Sequence, residues 1–207
     1  MDVTGSAAPA DPPAKVRVVL REGVGPVDVD DVALDLDWLL VGHWDATDER
    51  PYEDRYVDRA ERTSVSYLDD TYVGLRYLVV TGPDARSVAD EAREALPTLS
   101  GADALAALAA ARTDAERAAA VPAVALAAGE DRSDAVTALR TAAVDGDDGV
   151  RMAVVRAATY VGWPELRQLL ETLRESASGK DVRHLAGVAL EGLALQDEAE
   201  RHRPGQG

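Results

Sequence analysis

One unit of eleven residues occurs twice near the C-terminus, and it constrains the fold more than any other feature of the chain. DGVRMAVVRAA at 148–158 aligns without gaps with KDVRHLAGVAL at 180–190, which sets the two Val-Arg pairs 32 residues apart. Each copy follows another stretch with apolar residues at helical spacing. A repeat of this period marks a stack of helix pairs, each burying its apolar face against its neighbours. Such stacks work by offering a long surface to a partner, so the repeat speaks to mode of action and leaves the partner unnamed.

From Gly101 onward the composition turns to Ala, Leu, Val and Arg with helical spacing throughout. The pattern predicts helices over 102–111, 114–128, 134–144, 148–161, 164–175 and 180–195. Carboxylates in 131–134 and 145–148 are placed to cap helix N-termini, where they satisfy free amides and favour the positive helix end. Pro164 suits a first helical turn, and Ser178 with Gly179 breaks the chain before the last helix. Connections this short imply antiparallel neighbours.

The preceding part reads as β-rich. Residues 16–20 alternate as a first strand, and the strongest strand signal spans 32–40. There Val32, Leu34, Leu36, Trp38 and Leu40 share one face and Asp35 and Asp37 the other. A hairpin is expected from 63–68 and 72–81 around Asp69 and Asp70, followed by a helix over 87–96 that Pro97 closes. Residues 15–97 are thus expected to form an antiparallel sheet of about four strands packed by one helix. Residues 1–14 and 196–207 read as flexible polar tails.

The Val-Arg units resemble the HEAT-repeat superfamily, including its short HEAT-like repeats. In that family the second helix of each pair begins with Asp, then Val-Arg, then a small residue. Asp148, Val150, Arg151 and Ala153 fit this pattern, as do Asp181, Val182, Arg183 and Ala186, with a degenerate copy from Asp114 carrying Arg117 and Ala123. The resemblance covers 102–195 and implies a short α-solenoid of about three helix pairs within a helical domain at 98–195. It also implies that Asp148, Arg151, Asp181 and Arg183 are structural, hydrogen-bonding between repeats. The concave surface would then carry Arg156, His184 and Glu191. Pro122 departs from the pattern and is expected to kink its helix. The fold class that results is α+β: an N-terminal antiparallel sheet with one helix, then the helical stack.

Candidate contacts outside the stack sit in 42–61, read as a long loop between strands. Its His43, Trp44, Tyr52 and Tyr56 suit a protein-binding loop, because Trp and Tyr anchor interfaces. The carboxylates around His43 match no EF-hand or zinc spacing, so no metal and no cofactor are expected. Tyr160 and Trp163 fall at the turn between helix pairs, where they either staple helices or touch a ligand. There is no phosphate loop, no nucleophile elbow and no catalytic constellation.

The chain carries 38 acidic and 22 basic residues, a net charge of -16, and no cysteine. That balance repels nucleic acid and anionic membranes and attracts basic proteins. High-GC or salt-adapted hosts make similar Lys-poor chains, so acidity alone names no partner. No apolar run is long enough to span a bilayer and no leader is evident, which points to a cytoplasmic protein. The function expected is a non-enzymatic protein–protein interaction module, a HEAT-like scaffold or adaptor with an acidic surface. An acidic inhibitor or immunity protein against a basic toxin or nucleic-acid-binding protein is the alternative. A HEAT-like enzyme, akin to bilin lyases or DNA glycosylases, is a more distant one.

Overall fold

A computed structural model of the chain describes residues 15–201. The tail expected over 1–14 and His202 lie outside the described residues, as does the rest of the C-terminal tail beyond 201. The described residues form five strands and eight helices. Strands β1 (Lys15–Val19), β2 (Leu39–Trp44), β3 (Tyr52–Val57), β4 (Ser64–Asp70) and β5 (Leu75–Thr81) build one antiparallel sheet in the order β1-β5-β4-β3-β2.

Strand side chains alternate between the two sheet faces, and both faces carry core. On one, Val18, Leu20, Tyr56, Val65, Tyr67, Leu78 and Val80 pack under helices α1 (Pro26–Asp35) and α2 (Ala85–Ala95) through Val29, Ala33, Val88 and Ala92. On the other, Val19 and Tyr77 belong to the core of the remaining helices. These are α3 (Gly101–Ala110), α4 (Asp114–Ala127), α5 (Ser133–Asp145), α6 (Asp148–Val161), α7 (Pro164–Ser176) and α8 (Lys180–Arg201).

The helix ends follow local chemistry. The Ser100 hydroxyl accepts from the Asp103 amide at 3.1 Å, and Thr113 accepts from Glu116 at 3.2 Å. The Asp147 carboxylate accepts from Val150 at 3.0 Å, each contact satisfying an amide that the first turn leaves free. Helix α4 packs on α6 and α6 on α8, while α3, α5 and α7 lie against α4, α6 and α8 respectively. Helix α4 also rests on β1, so the helical layer is seated on the sheet.

The two repeat copies have matching surroundings. Arg151 donates to the carbonyl of Ala143 at 3.1 Å, near the end of α5, and pairs with Asp148 at 3.0 Å. Arg183 donates to the carbonyls of Ala177 and Ser178 at 2.6 and 2.8 Å, just past the end of α7. In both copies the arginine ties the start of one helix to the C-terminal carbonyls of the helix before it, where cations are favoured. These contacts run between consecutive helices, α5 to α6 and α7 to α8. Asp181 is exposed.

Several expectations give way. Residues 32–40 are not a strand: α1 covers 26–35, and β2 begins only at Leu39. Pro26 opens that helix and the Asp28 carboxylate accepts the Gly25 amide at 2.7 Å. Val29 and Ala33, four residues apart, bury against the sheet, which leaves Leu34 exposed. Asp37, at φ 57°, then turns the chain. The sheet therefore has five strands and two covering helices, where four and one were expected. The segment 42–61 is not a loop, since it supplies half of β2 and all of β3. The hairpin turn lies beyond Asp70, at 71–74, closed by Gly74 at φ 68°. Helix α4 runs through Pro122 without ending there, and Val121 to Leu126 are all buried. The polar segment from 196 continues α8 as far as Arg201.

Candidate functional site

Strand β2 closes one end of the sheet, so its outer edge has no strand partner among the described residues. A register shift between Leu40 and Gly42 bulges it against β3. A Cβ at Gly42 would meet the Trp44 indole, which folds back over the strand. The Arg55 guanidinium sits 4.8 Å over that ring from the other side of the hairpin.

Leu39, Leu40 and Val41 are each more than half exposed, at 53%, 56% and 56%, and no charged residue interrupts them. Val27 and Leu34 of α1 are exposed as well. The surrounding sequence has the opposite character: residues 28–54 hold ten acidic residues and one basic residue, Arg50. An uncharged apolar edge thus sits in the most acidic part of the chain.

Behind this edge His43, Tyr52 and Asp54 converge. The buried Asp54 carboxylate accepts from His43 Nδ1 at 2.7 Å and from the Tyr52 hydroxyl at 2.5 Å. Tyr52 meets the His43 ring edge-on at 5.3 Å. The hydrogen bond to Asp54 holds the imidazole above its ordinary value, helped by the charges of Asp54 and Asp45. Burial, then the bond to Asp54, pushes the Tyr52 hydroxyl up. Asp54 fixes the imidazole tautomer with Nε2 toward solvent, 3.5 Å from Asp45. Such a dyad can carry charge or a proton, but no nucleophilic side chain stands beside it among the described contacts.

The other candidates fall elsewhere. Tyr56 is core, 1% exposed, with its hydroxyl donating to Asp30 at 2.7 Å, so it is no surface anchor. Tyr160 and Arg156 meet at the junction of sheet and helices, around Tyr72 of the β4–β5 turn. Trp163 is buried under Arg132, whose guanidinium lies 5.3 Å from the ring. His184 and Glu191 are exposed on α8 and belong to neither cluster. The expected site residues therefore separate into a β2–β3 group, a junction group and isolated surface positions.

Asp54 lies in the candidate segment 42–61, and Leu39 and Leu40 fall in a strand as expected, but nothing local in the sequence marks Asp70, Tyr72 or the apolar run 39–41 as part of a site. Among the described residues no group of three or more His, Asp or Glu side chains is arranged to hold a metal ion, and no helix is long and apolar enough to cross a membrane. The chain matches no family model, and neither a curated protein nor a solved structure matches it.

Proposed function

We propose that this chain is a non-enzymatic protein-interaction module that docks a basic partner along the free edge of β2. One observation carries the reading: Leu39, Leu40 and Val41 form an exposed, uncharged strand edge inside a segment with ten acids and a single base. A free edge offers unpaired amides and carbonyls to another extended segment. The exposed apolar side chains supply grip, and the carboxylates steer and select a cationic partner.

The helical half plays the scaffold in this reading. Helices α4, α6 and α8 side by side, with α3, α5 and α7 paired to them, support a short HEAT-like stack of three helix pairs. The matching roles of Arg151 and Arg183 support it too. The stack braces one face of the sheet and leaves the β2 end free.

The acid-rich rim also favours a sharper second reading, an inhibitor or immunity protein that neutralises a basic toxin or nucleic-acid-binding protein. Capture from native lysate on wild-type chain and on Leu40→Lys, at low salt and at about 0.5 M, tests both readings, since salt screens rim charges and spares apolar contact. Loss of the partner with Leu40→Lys is expected, because a lysine on an edge strand opposes pairing. Loss at high salt selects the inhibitor, and salt-tolerant capture selects the apolar edge. A partner held equally well by Leu40→Lys refutes docking at β2.

A further inference from the structure

Arg156, on α6, is part-buried, and its Nε–H lies out of solvent with no hydrogen-bond partner. Among the described residues every other part-buried arginine makes a hydrogen bond or an ion pair. In a chain with 38 acidic residues a carboxylate partner is easily supplied, yet none among the described residues pairs with this guanidinium. A buried donor left unpaired is costly, and an unpaired charged one more so. Arg156 is nonetheless held in place. Its Cζ sits 4.9 Å over the Tyr72 ring, Tyr72 stacks on Tyr160 at 6.3 Å, and the Tyr160 hydroxyl donates to buried Asp70 at 2.8 Å.

Arg156 borders a cleft of about 270 Å³ between the β4–β5 turn, α4 and α6. Ala118 and Pro122 of α4 stand four residues apart on one wall; Gly149 and Ala153 of α6 stand four apart on another, in line with Arg156. No residue lining the cleft bears a carboxylate or an amide side chain. The volume falls below the roughly 300 Å³ at which pockets for drug-sized ligands begin, so it suits one group the size of a side chain.

We propose that this cleft binds a carboxylic acid with a short apolar body. The carboxylate meets the Arg156 fork, whose planar donors match its two oxygens, and a few carbons lie along Ala118, Pro122 and Ala153. A free short-chain acid and the C-terminal residue of a peptide present the same chemistry. The site shares no residue with β2 or α1, so its fate is independent of partner docking there.

The test is nuclear magnetic resonance of the full chain, following the Arg156 Nε–Hε and Ala153 amide signals. Butyrate, the peptide acetyl-Ala-Val, its C-terminal amide and inorganic phosphate are titrated separately. Saturable movement of both signals is expected with butyrate or the peptide acid and not with the amide. Response to butyrate identifies a free acid; response to the peptide acid alone identifies a chain terminus; either supports the site. Arg156→Gln, which keeps much of the side-chain volume, should abolish the Ala153 response with melting unchanged. Ala118→Leu fills the cleft from the less buried wall and should weaken binding by about tenfold or more, while the Nε–Hε signal of the free protein persists. No saturable shift with either acid overturns the proposal. So does equal response to acid and amide, equal response to phosphate, or a response that survives in Arg156→Gln.

Discussion

The Tyr160 hydroxyl donates to the buried carboxylate of Asp70 at 2.8 Å, joining α6 to the sheet across 90 residues of chain. The same Asp70 oxygen accepts from the Tyr77 hydroxyl at 3.2 Å, and its other oxygen from the Tyr72 and Val73 amides at 3.0 and 3.4 Å. A carboxylate 2% exposed is tolerable only because four donors surround it. Removing the Tyr160 hydroxyl takes away a bond to a charged group, a loss of about 1.5–3 kcal/mol. Tyr160→Phe should therefore lower the melting temperature by several degrees, and Asp70→Ala should lower it further, since three donors as well as Tyr160 lose their acceptor. Thermal unfolding of the two variants checks this, and a Tyr160→Phe chain that melts with the parent refutes it.

Tyr67 offers the opposite case. It is fully buried, and its hydroxyl has no hydrogen-bond partner among the described residues. Burial pushes that hydroxyl up to about 12, so it stays neutral and unsatisfied through the physiological range. Tyr67→Phe keeps the ring, with its edge-on contact to Tyr52 at 6.0 Å, and deletes only the unsatisfied group. The expected outcome is unchanged or raised stability, by up to about 1–2 kcal/mol, read from denaturant midpoints at constant slope. A clear loss of stability would show that the hydroxyl has a partner after all.

The contrast between α6 and α1 shows what the sequence discloses. Helix α6 was legible to both ends because Asp147 caps it, Gly162 stops it in the left-handed region, and Val150, Val154 and Ala157 recur on one face. In α1 the residues Val32, Leu34 and Leu36 alternate as a strand would, and that local pattern outweighed the cues from Pro26 and from Val29 with Ala33. Only the sheet beneath decides which face is buried. Strand β3 was hidden for a different reason: its inward position 54 is an aspartate, which breaks the apolar alternation. Its burial makes sense once His43 and Tyr52 are seen to satisfy it. The link from Asp70 to Tyr160, and the unpaired state of Arg156, depend on parts of the chain far apart in sequence and leave no local trace.

The dyad of His43 and Asp54 predicts a pH response of defined sign. The bond to Asp54 raises the imidazole above its unfolded value near 6.5, so the folded state binds its proton more tightly. The contribution to stability is complete below the unfolded value and is lost as pH rises through the folded one. Imidazole resonances followed against pH should place His43 above an unperturbed histidine, and Asp54→Asn should return it toward the ordinary value. If Asp54→Asn leaves the titration where it was, the bond to Asp54 is not its cause.

Ala157 tests whether sheet and helices unfold as one. It is 0% exposed on α6, in a core that contains Val19 and Tyr77 of the sheet together with Val121, Val154 and Leu193 of the helices. Ala157→Glu places a carboxylate in that apolar core, a penalty of about 3–5 kcal/mol and a large share of the stability of an ordinary domain. Because the core is continuous across the layers, the damage should not stay in the helices. Far-ultraviolet ellipticity, dominated by helix, and the assigned indole proton resonance of Trp38, which packs in the sheet core, should be lost together at a lower temperature. A helical signal that melts early while that of Trp38 holds would mean that the sheet with α1 and α2 stands without the helical layer. Val19 and Tyr77 would then pack against the helices without cooperative coupling.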